Sequence, residues 1–202
     1  MSLPEPVQAQ APASRERTIL DAAGRLFQQH GYDGTSVSRI AKLAGMTPAN
    51  LYWYFPSKQV LLRDVLVDLY RTSLESLQAA DDATASPSTR LCAYVRTLVT
   101  LQLSDPETVN HSYLALQSAL DEESALVISR WQREHRDLLR DILLAGVGDG
   151  SFDVPDVSVA ASFLATGAEH VYTWFRHDGR RSGSEVAELF ADHALRSVQP
   201  RP

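Results

Sequence analysis

The start of a short predicted helix carries three small polar or methyl-bearing side chains, Thr47, Ala49 and Asn50. Side chains of this kind reach base edges when the N-terminal end of a helix enters the major groove of DNA. The pattern therefore predicts a helix that contacts DNA through its first turn.

Three consecutive aromatic residues, Tyr52, Trp53 and Tyr54, follow in the same helix. Successive helical side chains point about 100° apart, so the three rings cannot all face one core. We expect at least one to be exposed, where a tyrosine hydroxyl or an indole N–H can donate to a phosphate. Lys58 lies in the first turn of the next helix, where a cation opposes the helix dipole unless a phosphate is near.

The residues that would carry catalysis or bind a metal do not occur in suitable patterns. His135 with Glu134 or Asp137, and Glu169 with His170, lack the spacing that would put metal ligands on one helical face. The sequence contains no G-x-S-x-G nucleophile turn and no G-x-x-x-x-G-K-[ST] phosphate loop. We therefore predict no catalytic residue, no cofactor and no metal, and a protein that is not an enzyme.

The elements around the candidate DNA contacts have the order of a helix-turn-helix. A helix capped at Thr35 or Ser36 ends at Gly45, and the next begins after Thr47 with a proline in its first turn. Such an arrangement leaves the start of the second helix free to enter a groove. The two helices are expected to pack through Ile40 and Leu51.

The rest of the chain also has helical periodicity, and it contains no alternating run that indicates a strand. We predict an all-α fold of about nine helices, preceded by a disordered arm over residues 1–13. The fourth helix is long, from Lys58 to about Ala79. Caps, prolines and glycines predict the later boundaries: Ser86-Pro87, Asp105-Pro106, Glu123–Leu144 before Gly146, Gly148 and Gly150, Asp156 to Gly179, and the capping-box pair Ser182 and Glu185.

Charge is distributed unevenly along the 202 residues. The net charge is −6, but residues 1–60 hold six basic and four acidic side chains, so this part carries +2 and the remainder −8. A basic head on an acidic chain indicates a polyanion-binding head. The single cysteine, Cys92, excludes an intrachain disulfide. No stretch of about eighteen apolar residues and no signal peptide is visible, so we expect a cytoplasmic protein without a membrane partner.

The region from about Arg15 to Leu66 resembles the DNA-binding head of TetR-family transcriptional regulators. The matching motifs are Leu51-Tyr52-Trp53-Tyr54-Phe55-Pro56-Ser57-Lys58 with Val60-Leu61-Leu62, and before them Ile19-Leu20-Asp21-Ala22-Ala23, Leu26-Phe27, Gly31-Tyr32, Thr35-Ser36-Val37, Ile40-Ala41 and Ala44-Gly45. The resemblance implies a helix-turn-helix DNA-binding domain over residues 14–57. It also implies a helical ligand-binding and dimerisation domain over residues 58–202.

The resemblance assigns DNA contacts position by position. The start of the second helix resembles positions that contact phosphates or an occasional base, the start of the third resembles base-reading positions, and the aromatic run with its lysine resembles positions that clamp the backbone. In that order, the residues are Thr35, Ser36, Ser38 and Arg39; Thr47, Pro48, Ala49 and Asn50; and Tyr52, Trp53, Tyr54 and Lys58. For Tyr52 and Tyr54, packing in the protein core is the alternative role.

For the second domain, the resemblance implies a ligand cavity and a dimer interface. The candidate ligand contacts, for which core packing is the alternative, are Tyr113, Trp131, His135 and His170. The last two helices, Asp156–His177 and Ser184–Val198, correspond to the dimer-forming pair of the family. Candidate interface residues on them are Phe163, Gly167, Ala168, Val171 and Leu189. The segments Trp174-Phe175-Arg176-His177-Asp178-Gly179 and Glu185-Val186-Ala187 are similar to a subgroup that responds to acyl-coenzyme A esters.

We therefore predict a homodimeric, ligand-responsive repressor that a small, largely apolar effector, such as an acyl-coenzyme A, releases from a palindromic DNA operator. The alternative is a helical small-molecule or lipid-binding protein, or an enzyme, that retains the helix-turn-helix fold without regulatory DNA binding. A gel-shift assay with the DNA upstream of the gene distinguishes the two.

Overall fold

The computed structural model describes residues 12–104 and 113–200, with side chains from Ser14 and from Ala115 onward in the two stretches. Within these ranges it contains nine α-helices, one 3₁₀ turn and no strand, so the predicted all-α fold is confirmed. None of the described helices is both long and apolar enough to cross a membrane. The helices are α1 (Pro12–His30), α2 (Val37–Leu43), α3 (Pro48–Tyr54), α4 (Lys58–Ala80), α5 (Pro87–Leu103), α6 (Tyr113–Gln117), α7 (Glu122–Gly148), α8 (Val157–Glu169) and α9 (Gly183–Val198), and the 3₁₀ turn is Val171–Thr173.

Side-chain caps start both helices of the helix-turn-helix. The Arg39 N–H donates to the Ser36 hydroxyl at 3.3 Å at the start of α2, and the Asn50 N–H donates to the Thr47 hydroxyl at 3.2 Å at the start of α3. Each bond satisfies a backbone donor that has no partner within its own helix. The cap of α2 is therefore Ser36, which the sequence left as one of two candidates.

The turn between α2 and α3 depends on Gly45. Its φ of +69° lies in the left-handed region that favours glycine. The Met46 N–H then donates to the Ala41 carbonyl at 2.9 Å, and the Gly45 N–H donates to the Lys42 carbonyl at 3.2 Å. This pair of bonds is the Schellman motif, which satisfies the last carbonyls of α2 and reverses the chain. The residues predicted to pack the two helices, Ile40 and Leu51, are both buried.

The described residues form two compact units, and the first is assembled from two stretches of chain. It contains residues 12–66 and 113–125, whereas the second contains residues 67–104 and 126–200. The boundary between the units therefore falls within α4. The functional boundary predicted at Lys58 is a separate matter and stays a prediction.

Gln59, in the first turn of α4, joins the two stretches of the first unit. Its amide N–H donates to the Ala119 carbonyl at 2.8 Å, and its amide oxygen accepts from the Asp121 N–H at 3.3 Å. In the same unit, α6 packs against α1. The loop between α6 and α7 is thus held by the side chain of a residue about sixty positions earlier.

The core of the second unit is apolar and is built from five helices. Its buried residues come from α4, α5, α7, α8 and α9, and they include Leu77, Leu91, Val99, Leu139, Ile142, Leu164 and Val186. Within this core, α5 packs against both α9 and α8. Arg90 binds Asp81 through two parallel hydrogen bonds of 2.7 and 2.8 Å, which tie α5 to the end of α4.

Three predicted boundaries differ from the structure. The predicted disordered arm, residues 1–13, lies outside the described residues except for its last two, which belong to the first turn of α1. The α7 helix continues through Gly146 to Gly148 instead of ending after Leu144. The α8 helix ends at Glu169, where the His170 N–H donates to the Thr166 carbonyl at 3.2 Å and a 3₁₀ turn over Val171–Thr173 follows. The predicted Asp105-Pro106 start lies outside the described residues.

Candidate functional site

The first turn of α3 presents a small, polar, exposed surface. All four residues expected to face base edges are exposed: Thr47, Pro48, Ala49 and Asn50. The side chain of Thr47 caps the helix, so its hydroxyl already accepts a backbone N–H. Pro48 has no N–H and the Asn50 N–H is bound by Thr47, so the backbone N–H groups of Thr47 and Ala49 remain at this end of the helix, where the dipole favours an anion. The four residues predicted to read bases are thus all accessible to a partner.

The three aromatic residues of α3 have different environments. Trp53 is 77% exposed, Tyr52 is 48% exposed and Tyr54 is half-buried. The Trp53 and Tyr54 rings meet edge to face with centroids 4.8 Å apart. The expectation that at least one ring is exposed is therefore confirmed. A tryptophan so exposed buries little of its apolar surface within this chain, which suits a contact with a partner.

Thr35 is not available to DNA, and its assignment as a contact is wrong. It is 1% exposed, and its hydroxyl lies 2.9 Å from the Leu26 carbonyl and 2.8 Å from the Gly31 carbonyl. These contacts fix the chain between α1 and α2. The other three candidates of this segment, Ser36, Ser38 and Arg39, are exposed.

Two cationic side chains near the helix-turn-helix already have contacts within the chain. The Arg39 guanidinium donates to His30 Nε2 at 3.0 Å. The Lys58 ammonium lies 4.0 Å from the centre of the Tyr32 ring. This cation–π contact offsets part of the unfavourable position of a lysine at the start of α4. A phosphate is therefore not the only group that can stabilise Lys58 there.

In the second unit, His135 of α7 is the centre of a buried polar cluster. It is 4% exposed, and its Nδ1 lies 2.9 Å from the Trp131 carbonyl oxygen. The Tyr70 ring of α4 meets the His135 ring edge-on, with centroids 5.3 Å apart. The Tyr94 hydroxyl of α5 donates to the His135 backbone carbonyl at 3.2 Å. Contacts from α4, α5 and α7 thus meet at this one residue.

Burial shifts the pKa values of His135 and of Glu169 on α8. Desolvation lowers the pKa of His135, because the charged ring would lose its hydration. Desolvation also raises the pKa of Glu169 on α8, although nearby His170 and Arg136 lower it in part. Both shifts favour the neutral form of the group. A polar site at which charge is disfavoured suits a largely apolar ligand.

The other predicted ligand contacts are less central. Trp131 and His170 are half-buried, and His170 Nδ1 lies 2.9 Å from the Thr166 carbonyl oxygen. The side chain of Tyr113 lies outside the described residues. The sequence pattern carries no signal for Tyr70, which continues an apolar stripe, and it places Glu169 beside His170 only as a possible metal ligand. No group of metal ligands is found among the described residues.

One face of α8 is exposed and partly apolar. An open groove of about 680 Å³ runs along it and is lined by Ser158, Val159, Ser162, Phe163, Thr166 and Gly167. Phe163 is 73% exposed, and Leu189 on α9 is also exposed. Both Phe163 and Gly167 were predicted interface residues, and both lie on this face. We refer to the six lining residues as the α8 face.

Two of the predicted interface residues cannot contact a partner. Ala168 and Val171 are fully buried in the core of the second unit, so their assignment to an interface is wrong. The small side chain of Ala168 instead lets α8 pack closely on its own neighbours. The alternation of buried and exposed positions along α8 explains the error, because small residues occur on both of its faces.

Comparisons with known proteins match nearly the whole chain. The family profile "Bacterial regulatory proteins, tetR family" matches residues 19–65, and "Tetracyclin repressor-like, C-terminal domain" matches residues 84–198. The transcriptional repressor KstR2 of Rhodococcus jostii RHA1 is 32% identical over 206 aligned residues, which cover 95% of each chain.

Solved structures have the same fold. A bacterial regulatory protein in the tetR family from Rhodococcus RHA1 superposes with a TM-score of 0.84 at 23% identity, covering 93% of this chain and 98% of that one. AibR, solved in complex with isovaleryl coenzyme A and operator DNA, superposes with a TM-score of 0.79 at 26% identity, covering 93% and 100%.

Proposed function

Because the chain belongs to the TetR family of bacterial regulatory proteins, we propose that it is a homodimeric repressor whose operator DNA is released by a small, largely apolar effector. This family consists of regulators rather than enzymes. The single observation that carries the DNA-binding part is the first turn of α3, where Thr47, Pro48, Ala49 and Asn50 are all exposed beside the exposed ring of Trp53.

The DNA contacts follow from the positions of these residues. Asn50 can make two hydrogen bonds to one base, and Ala49 can contact a thymine methyl. Trp53, Tyr52 and the exposed Ser36 are suited to the phosphates on either side. Two copies related by a two-fold axis would read mirrored half-sites about 34–36 Å apart, so we expect a near-palindromic operator.

The α8 face supports the dimer. Phe163 and Val159 leave an apolar stripe on the surface, and Gly167 adds no side chain that would keep a second helix at a distance. Pairing of this face with its symmetry mate would bury the stripe, as an isologous interface requires. The exposed Leu189 of α9 would extend the contact.

The cluster around His135 supports the effector site. AibR, 26% identical over almost the whole chain, was solved with isovaleryl coenzyme A, and this precedent favours an acyl-coenzyme A as the natural form of the effector. Trp131, His135 and His170 would contact it. A ligand releases DNA only if it binds the DNA-incompetent conformation more tightly. Because α4 contributes residues to both compact units, we propose that a change in the path of this helix transmits effector binding to the DNA-binding head.

Operator selection tests the DNA-binding part. Purified protein is used to select binding sites from random DNA, and the selected site is then measured by fluorescence anisotropy. We expect a near-palindrome for the wild type and, for Asn50→Ala, relaxed preference at one position of each half-site at a cost of about 1–3 kcal/mol. Arg180→Ala, an exposed loop substitution in the second unit, is the matched control and should keep the wild-type preferences.

Two results would contradict the proposal. Selection that returns no preferred sequence would favour a helix-turn-helix fold without regulatory DNA binding. Identical preferences for Asn50→Ala and the wild type would show that another residue reads the base. Titration of acyl-coenzyme A esters into the DNA complex tests release, and operator DNA should weaken effector binding by the same factor as the effector weakens DNA binding.

A further inference from the structure

The His135 ring is held in one orientation by its surroundings. Its Nδ1 lies 2.9 Å from the Trp131 carbonyl oxygen one turn earlier in α7. The Tyr70 ring packs edge-on against it, and the Tyr94 hydroxyl fixes the backbone carbonyl of the same residue. The Trp131 carbonyl and the Tyr70 ring therefore favour the orientation in which Nδ1, rather than a ring carbon, faces the carbonyl oxygen.

This geometry determines which nitrogen carries the proton. A carbonyl oxygen can only accept, so the short contact requires an N–H on Nδ1. In the neutral ring, Nε2 is then an acceptor with a free lone pair. Nε2 is also the ring nitrogen farther from the helix backbone, so it faces the surroundings of α7 rather than α7 itself.

The Nε2 atom is buried and has no hydrogen-bond partner in the described part of the chain. Such an atom is unusual, since most buried polar side-chain atoms in proteins are paired. The neighbours that hold the ring bond to its Nδ1 side and to its backbone, and none of those contacts satisfies Nε2. A buried acceptor without a partner is suited to a ligand that brings a donor.

We propose that His135 Nε2 accepts a hydrogen bond from the effector, whose buried end therefore carries an O–H or N–H group. This inference rests on the proposed function, because it names a chemical requirement of the same effector site. A carbonyl or ether oxygen in that position would place two lone pairs against each other. The site thus selects an alcohol over the corresponding ketone or ether, and an amide with N–H over an N-alkylated one.

Two pairs of probes separate the two kinds of donor. Octanol and heptyl methyl ether are isomers that differ in having an O–H group. S-hexanoyl-N-acetylcysteamine, which carries the first amide of a coenzyme A thioester, and its N-methyl derivative differ in having an N–H group. Affinities are measured by calorimetry on the DNA-free wild-type protein and on His135→Phe, which keeps an aromatic ring but removes the acceptor.

We expect the donor-bearing member of at least one pair to bind the wild type about tenfold more tightly, which corresponds to about 1.4 kcal/mol. The preference should disappear in His135→Phe. His193→Phe is the matched control, because His193 also has its Nδ1 against the carbonyl one turn earlier, at 2.7 Å, but is exposed. This variant should keep the wild-type preference.

A measurement on the wild type alone covers the case in which His135→Phe does not fold. The nitrogen-15 resonance of the unprotonated imidazole nitrogen of His135 should move with the donor-bearing probe and stay in place with its partner. Equal affinities within both pairs, a preference that persists in His135→Phe, or no binding of any probe would each overturn the inference. None of these results bears on operator selection, which tests the proposed function separately.

Discussion

At the scale of single residues, the polar side chains of the helix-turn-helix divide into those that hold the turn and those that are exposed to a partner. The Thr35 side chain is buried, and its hydroxyl contacts two backbone carbonyls. Asn50 and Trp53 are exposed. Substitution of the first kind should therefore affect folding, and substitution of the second kind should affect DNA binding.

Lys58→Gln tests the phosphate contact proposed for this residue. Removal of one phosphate contact should weaken binding to all DNA sequences alike and reduce the salt dependence, the slope of log K against log salt, by about 0.9. Fluorescence anisotropy across a salt series measures that slope. Arg180→Gln, an exposed loop residue of the second unit, removes the same charge and should leave the slope unchanged.

An unchanged slope in Lys58→Gln would place the ammonium on the Tyr32 ring in the DNA complex as well. In that case, Tyr32→Leu should mimic Lys58→Gln in thermal stability while both variants keep the wild-type salt slope. The two outcomes distinguish a DNA contact from a contact within the chain.

The helix caps could be predicted from the sequence, whereas the buried position of Thr35 could not. Ser36 and Thr47 bond to backbone three residues away, so their role depends only on local sequence. Thr35 bonds to Leu26, nine residues earlier, because α1 and α2 pack together. A contact of that kind depends on tertiary structure, and the residue type alone does not reveal it.

At the scale of elements, the C-terminal end of α7 depends on a close approach between two residues. A Cβ at Gly146 would overlap the ring of Phe152. This ring is buried and belongs to the segment that follows α7. Gly148, half a turn later, is exposed, and no described atom would meet a Cβ there within 4 Å. The two glycines therefore have different roles in the same helix.

Gly146→Ala should destabilise the protein by about 1–3 kcal/mol, because an added methyl group forces the packed ring to move. Gly148→Ala should instead stabilise it by about 0.5–1 kcal/mol, because alanine loses less backbone entropy on folding. Urea unfolding at one fixed protein concentration measures both. If the two substitutions change the free energy of unfolding equally, the Phe152 ring does not exclude a side chain at Gly146.

The same pair of glycines shows why helix ends were harder to predict than helices. Glycine often ends a helix, so the sequence predicts that this helix ends in the run Gly146, Gly148 and Gly150. In the structure, Gly146 stays helical because its missing side chain makes room for Phe152. Only Gly150, with a φ of +78°, has the conformation that the sequence argument assumed.

At the scale of the whole molecule, the dimer contact is best tested on the α8 face. Phe163→Glu should convert the dimer to monomer, because an unpaired charge buried at an interface costs about 3–5 kcal/mol. Operator affinity should fall with it, since one head alone loses the benefit of a second linked contact. Sedimentation and anisotropy measure the two effects.

Leu144→Glu is the matched control, since it puts the same charge on an exposed leucine of α7. It should remain dimeric. A Phe163→Glu protein that stays dimeric at micromolar concentration would exclude the α8 face. Arginine at Ala165 or Ala168 would be a poor test, because both residues are buried within the chain and the substitution would damage its own core.

The contacts between residues far apart in the chain could not be predicted from the sequence. The motifs of the head end near Leu66, yet Gln59 binds the backbone at Ala119 and Asp121, and α6 packs against α1. A single glutamine in a helical run carries no signal for a partner sixty residues away. Local patterns predicted the helix-turn-helix, and only three-dimensional packing identified the second stretch of its unit.

The two-stretch composition of the first unit has a consequence for how such regulators can diversify. Consider a gene fusion that joins the N-terminal 66 residues of one regulator to the remaining residues of another. Gln59 would then come from one parent protein, and residues 119 and 121 would come from the other. New pairings of operator and effector in this lineage should therefore arise by inheritance of both stretches together, or by substitutions confined to the exposed first turn of α3. The second route leaves the contacts of Gln59 with Ala119 and Asp121 intact.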